Sequence, residues 1–168
     1  QMIGRGNESR AKETVETAFI MAGGSGLFLS LAGLLFSKGM LRLVSTPENI
    51  LDQAALYMRI YLGSSVFMLI YNFGAAILRA KGDTLRPLYY MIVSGLTNVI
   101  LNLVFVTRLH MGTAGVAFAT LISQAVSASL VTYSLITTKD ITQLELKNMR
   151  INRHTAVEIL RIGIPSGI

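Results

Sequence analysis

The sequence predicts an all-α fold: a polytopic membrane helix bundle with four transmembrane helices and the start of a fifth. Three observations predict it. Of 168 residues, 52% are hydrophobic and 14% charged, where a soluble domain carries roughly 25% charged residues. The apolar residues form four uncharged blocks, Thr17–Ser37, Ile60–Leu78, Pro87–Thr107 and Met111–Thr138, of 21, 19, 21 and 28 residues. About 20 residues at ~1.5 Å each cross ~30 Å of hydrocarbon. The charged residues are confined to the gaps. A buried helix of a soluble protein imitates one such block, but four in succession point to a bilayer.

The polar stretch Arg5–Glu16 is helix-compatible. Asn7 or Ser9 can cap the first spanning helix, and Glu13 and Glu16 come early in it, where negative charge suits the helix dipole. Within the span Ala22, Gly26 and Ser30 recur every fourth residue, and Gly33 and Ser37 continue a nearby stripe. Small residues at this spacing let two membrane helices approach closely, so the stripe is read as packing. Ser45-Thr46-Pro47-Glu48 opens the second helix, with Ser or Thr as cap, Pro in the first turn and Glu against the dipole. That helix is expected from about Pro47 through Leu78, longer than a bilayer needs. Its first two turns then stand in water or at the interface, with Tyr57 and Tyr61 where interfacial aromatics are favoured.

A tight polar turn, Arg79–Pro87, follows. Gly82 can take a positive φ, Asp83 beside Thr84 can cap the next helix, and Pro87 falls in its first turn. The third helix is expected to run to about Thr107. After the short link Arg108-Leu109-His110 the fourth begins near Thr113. Residues 1–138 thus hold the four spans. Residues 139–154 are polar and charged and read as a linker between halves of a larger protein. Thr155 can cap a last helix in 155–168 that includes Ile159, Leu160, Ile162 and Ile164. The opening on Gln1 without a signal peptide, and a closing apolar run too short to span, lead us to expect a piece of a longer chain.

With four spans, the N-terminal segment, the Arg79–Arg86 turn and the stretch from Lys139 share one side and hold 11 of the 15 basic residues. Lys38, Arg42, Arg59 and Arg108 lie on the other. The positive-inside rule makes the first side cytoplasmic. The net charge of +6 is explained by this topology, and a nucleic-acid partner is not expected. There is no cysteine, which excludes disulfides and thiolate metal sites.

No Asp, Glu, Lys, Arg or His lies inside the four blocks. A proton relay or carboxylate cation site is therefore not contained in them. Catalysis is not expected. No metal-ligand cluster is present, and His110 and His154 stand alone near span ends. The polar residues inside the blocks are mostly amides and hydroxyls. Asn98 and Asn102 are four residues apart on one helix face. Thr120, Gln124 and Ser127 form a similar stripe, as do Tyr61, Ser65 and Asn72. An amide facing lipid leaves groups unpaired at a cost of roughly a few kcal/mol, so these faces turn into the bundle or toward water. One reading is interhelical hydrogen bonding, worth about 0.6 kcal/mol per bond. The other is a polar cavity near the midplane, where transporters place their sites. Asn98 and Asn102 together, deep and on one face, favour the cavity, with Thr120, Gln124 and Asn72 as further candidates to line it.

Several stretches taken in order resemble the multidrug and toxic compound extrusion (MATE) family. They are Gly4–Ala11, Arg79–Thr84 with Pro87, Asn98–Asn102, Gly112–Thr120 with Gln124, and Leu160–Ser166. That family has twelve helices in two six-helix lobes. The resemblance makes this chain helices three to six, the inter-lobe loop and the start of the seventh. It implies export of drugs or other organic compounds in exchange for protons or sodium, by alternating access, across the plasma (inner) membrane of the cell. It implies no other cofactor and no enzymatic activity. Partners are then the lipid bilayer, a small organic substrate and the remaining helices. In many bacterial and archaeal members an Asp on the first helix, an Asn and an Asp on the fifth and a Thr on the sixth form a cation site. By pattern Asn98 matches that Asn and Thr120 that Thr. Asn102 falls where those members carry the Asp, and an amide cannot bind a proton in the same way. Two other readings stay open: a lipid-linked oligosaccharide flippase of the same superfamily, which would place basic residues in its cavity, and a membrane scaffold subunit without transport.

Overall fold

The computed structural model describes residues 8–138 together with 154–157, 159 and 161. Nearly all of the expected linker, and most of the final segment, lie outside the described residues. The described chain is helical: α1 Glu8–Leu43, α2 Glu48–Gly63, α3 Ser65–Ala80, α4 Leu85–Leu103, a π-helical turn Val104–Arg108, and α5 Gly112–Thr137. Four continuous stretches, Lys12–Leu43, Glu48–Ala80, Leu85–Arg108 and Gly112–Thr137, are long and apolar enough to cross a membrane. All but the last extend beyond the uncharged blocks, because a helix continues through charged residues that an apolar block excludes.

α1 and α3 end in the same way, for a local reason. The N–H groups of Thr46 and Ser45 bond back to the carbonyls of Leu41 and Arg42 at 3.1 and 3.0 Å. Those of Asp83 and Gly82 bond back to Leu78 and Arg79 at 3.0 and 2.9 Å. This paired return needs a residue in the left-handed region. Ser45 takes it at φ 58° and Gly82 at φ 89°. Ser45 and Thr46 therefore close α1 instead of capping α2, whose cap position is Pro47 with no side-chain bond. Asp83 does take up a free donor of the next helix: its carboxylate accepts the Arg86 N–H at 3.1 Å and pairs with the Arg86 guanidinium at 3.1 Å. Pro87 is buried in the first turn of α4, and its carbonyl accepts the Tyr71 hydroxyl at 2.9 Å. A Cβ-branched residue in place of Gly82 has to hold the left-handed conformation at ~1–2 kcal/mol. Gly82→Val should lower the melting temperature of the purified protein, and Gly82→Asn should lower it less, because Asn tolerates this region.

The second span has a feature that periodicity does not announce. It breaks for one residue at Ser64. The Ser64 N–H still reaches the Ile60 carbonyl at 3.0 Å, but the Phe67 N–H returns three residues to Ser64 at 3.0 Å. The Ser64 hydroxyl donates to the Tyr61 carbonyl at 2.6 Å, a local bond that competes with the helical ladder. α1 covers the break. Its Ser30 hydroxyl is shared between the carbonyls of Leu62 and Gly63, at 3.0 and 3.1 Å. The small-residue stripe makes this approach possible: a Cβ on Gly26 would lie 2.4 Å from the Val66 Cα, and one on Gly33 2.3 Å from the Leu62 Cβ. Ser37, fully buried, accepts the Arg59 guanidinium at 3.0 Å. The stripe is packing, as its spacing suggests.

The helices lie in a row. α1 packs on α2 and α3, these pack on α5, and α4 lies against the far side of α5. A compact apolar cluster of Val15, Ile77, Leu78, Val131 and Leu135, with Phe19, Tyr71 and Tyr90 against it, gathers the start of α1, the end of α3, the start of α4 and the end of α5. The start of α1, the Arg79–Arg86 turn and the end of α5 thus lie at one end of the bundle. At the other end Lys38 pairs with Asp52 at 2.6 Å, and the Tyr57 and Tyr61 rings stack 6.0 Å apart. Large apolar side chains on α1 and α4 face outward, among them Leu35 and Ile100 at 74% and 59% exposure, as bilayer or further helices require.

Candidate functional site

A polar cluster lies between α4 and α5. Both helices are apolar enough to span, so each polar side chain on them has to find its partner within protein. Asn98 and Asn102, one turn apart on α4, are joined by an amide–amide bond in which Asn102 Nδ2 donates to Asn98 Oδ1 at 3.0 Å. Asn98 Nδ2 reaches across to α5 and donates to Thr120 Oγ1 at 3.4 Å and Ser123 Oγ at 3.3 Å. Those hydroxyls in turn donate to carbonyls of their own helix, Thr120 to Val116 at 3.0 Å and Ser123 to Thr120 at 2.9 Å. Ser94, one turn before Asn98, donates to the Ser123 carbonyl at 2.6 Å.

Two amide oxygens are left over. Asn102 Oδ1 and Gln124 Oε1 are buried and have no hydrogen-bond partner. A buried acceptor without a donor costs about 1–3 kcal/mol, so each marks a place where a donor from elsewhere belongs. The cluster carries no charge of its own. Among the described residues, no charged side chain joins its hydrogen bonds, and no three His, Cys, Asp or Glu side chains converge anywhere.

Asn98, Asn102 and Thr120, singled out from the sequence, are thus brought together. Gln124 lies on α5 one turn beyond Thr120 and bonds to none of them. Asn72 is exposed on α3 and takes no part. Ser127, read as part of the α5 stripe, only donates to the Gln124 carbonyl of its own helix, at 3.0 Å. The sequence reading missed Ser123. The signal for it was present, since it follows Thr120 by three residues and shares its face. Gly82, Asp83, Thr84 and Pro87 form the turn at the other end of α4 and serve its geometry, as described above.

Four apolar spans with two amides between neighbouring helices have the build of a polytopic membrane protein. The chain belongs to the MatE family, whose model matches residues 1–104. It is 31% identical over 175 aligned positions to the probable multidrug resistance protein YoeA of Bacillus subtilis, a match covering 100% of this chain and 38% of the relative. Among solved structures it superposes with a TM-score of 0.90 and 25% identity on the inward-facing conformation of a multidrug resistance MATE family transporter of the MOP superfamily, covering 98% of this chain and 38% of that one. The outward-facing conformation of a multidrug resistance MATE family transporter fits with the same TM-score, 0.90, at 25% identity over 98% of this chain and 37% of that one. The chain therefore spans well under half the length of the proteins it matches.

Proposed function

We propose that this chain is the four-helix part of a secondary active transporter that exports drugs or other organic compounds in exchange for protons or sodium, by alternating access. Asn98, Asn102 and Thr120 line a polar cavity in its lobe, and Gln124 and Asn72 contribute to the same interior. The observation that carries this reading is the buried, unpartnered Asn102 Oδ1 at the end of the Asn98–Thr120 bonds. Interhelical glue alone has no need of a free acceptor. A cavity that exchanges contents does, because a permanently satisfied site binds nothing.

The equal fit to inward- and outward-facing relatives supports a division of labour. The four helices keep one arrangement, and access alternates through motion of this unit against the rest of the protein. The exposed Asn72 suits a face turned to that interior. In this reading the membrane is the plasma membrane, and the end of the bundle that carries the Arg79–Arg86 turn is cytoplasmic, as the distribution of basic residues implies. Among the described residues no basic side chain joins the amide cluster, which favours export of organic cations over movement of anionic lipid-linked sugars.

The test uses the full-length protein in cells and in proteoliposomes. Asn98→Ala and Asn102→Ala should each reduce export of a cationic dye such as ethidium by about tenfold or more, a loss of ~1.4 kcal/mol of stabilisation along the transport cycle. Membrane insertion and monodispersity should be unchanged. Normal efflux by both variants would return these amides to packing.

A further inference from the structure

We propose that Ser123 is a positioning residue: together with Thr120 it fixes which way the Asn98 amide points, and so makes the cavity end in a hydrogen-bond acceptor. A hydroxyl has one hydrogen to give and an oxygen that accepts. The Thr120 hydrogen is committed to the Val116 carbonyl at 3.0 Å and the Ser123 hydrogen to the Thr120 carbonyl at 2.9 Å. Both oxygens are left only to accept. Asn98 therefore has to meet them with its NH2 group, at 3.4 and 3.3 Å.

The direction then propagates. With its NH2 facing α5, Asn98 turns its Oδ1 toward Asn102, which answers with its own NH2 at 3.0 Å. Asn102 Oδ1 becomes the terminal atom, buried and unpartnered. If Asn98 were reversed, both hydroxyls would have to leave their carbonyls, and the terminal group would become an N–H donor. Ser94 holds α4 and α5 in register at this level through its 2.6 Å bond to the Ser123 carbonyl. The group that docks on Asn102 is accordingly a donor, such as a protonated amine, an amide N–H or a hydroxyl. A carboxylate meets the wrong pole. This identification of the ligand rests on the transport reading, whereas the direction of the amide chain is measurable without transport.

The experiment replaces Asn102 by its acidic isostere in the full-length protein. The carboxyl of Asn102→Asp stands beside Asn98 Oδ1 and has to keep its proton to bond to it. Its titration, followed by the infrared band of the protonated carboxyl, should lie about one to two pH units above the ordinary aspartate value. Burial alone also raises it, so the deciding readout is the dependence on the hydroxyls. Adding Ser123→Ala should bring the titration down by about half a pH unit or more, and adding Thr120→Val as well should bring it down further. Freed from the hydroxyls, Asn98 can turn its NH2 to the carboxylate, and hydrogen bonding to the charged form lowers the value. Ser123→Thr should restore the raised value. A titration indifferent to both hydroxyls overturns the proposal. If Asn102→Asp cannot be recovered, the native chain labelled with carbonyl-13C asparagine serves. Its band from an unbonded side-chain carbonyl should weaken in Ser123→Ala and return in Ser123→Thr, and an unchanged band overturns the proposal equally. Failure of the native protein to export organic cations would sink the transport reading and leave these spectra as expected.

Discussion

Gly26→Val is expected to destabilise the bundle by about 3 kcal/mol and to leave little monodisperse protein after extraction. The reason is the kind of atom it meets. A Cβ at position 26 would lie 2.4 Å from the Val66 Cα and 3.0 Å from the Val66 backbone nitrogen. No rotamer change relieves a clash with backbone, so α1 and the second span have to separate. Overpacking of this kind costs roughly 1–3 kcal/mol. Separation also withdraws the Ser30 hydroxyl from the Leu62 and Gly63 carbonyls, and a buried carbonyl left unpaired adds ~1–3 kcal/mol. Gly23→Val and Gly24→Val are internal controls, since a Cβ there meets nothing within 4 Å in this unit. Thermal unfolding in detergent, read by size-exclusion profile, makes the comparison. Equal melting of all three variants would mean that α1 does not lie this close to the break at Ser64.

Gly74→Ala is expected to cost about 2 kcal/mol, and this loss should be recoverable. Here the obstacle is side chain. The new Cβ would come within 2.8 and 3.0 Å of the two Val131 methyl carbons, where α3 crosses α5 and Val131 is fully buried. Val131→Ala alone removes those methyls and leaves a cavity, at roughly 2 kcal/mol. The double variant exchanges one methyl for two across the same contact and should be markedly more stable than the sum of the singles, with a coupling of about 1–3 kcal/mol. Additive losses would show that the two positions do not touch. No partner side chain can be trimmed to rescue Gly26→Val in this way, because its contact is with the main chain.

The two glycines also show how far the sequence could be read. The stripe of Gly26, Ser30, Gly33 and Ser37 is visible as spacing, and close helix packing is what it does. Nothing in that spacing says that its partner is a broken turn, or that Ser30 satisfies carbonyls there. The break itself rests on Ser64, one serine among several in the spans, whose hydroxyl turns back on its own helix. In the candidate site the same limit applies. Asn98 and Asn102 stand out because two amides one turn apart are expensive in a bilayer. Thr120 stands on the polar stripe of α5 and is also matched by the resemblance, and it receives the Asn98 amide. Ser123 was passed over for Ser127, although both are serines on a polar stripe of α5. Asn72, equally polar by sequence, faces outward from these four helices.

The sequence by itself determined what depends on composition and local periodicity. Four apolar stretches of spanning length, turns with Gly82 and Asp83 at their expected places, the polar faces of the helices and the side on which basic residues gather all follow from residue type and a 3.6-residue repeat. Only the tertiary structure decided what depends on how one helix is rotated and slid against another. That register places Ser30 over the carbonyls of Leu62 and Gly63, sets Ser123 beside Thr120 against Asn98, and leaves Asn102 Oδ1 as the free acceptor. The physical reason is that a helix repeats every 3.6 residues whatever it packs against. Its contacts are chosen by close approaches, to main chain at Gly26 and to a side chain at Gly74, that join residues distant along the chain.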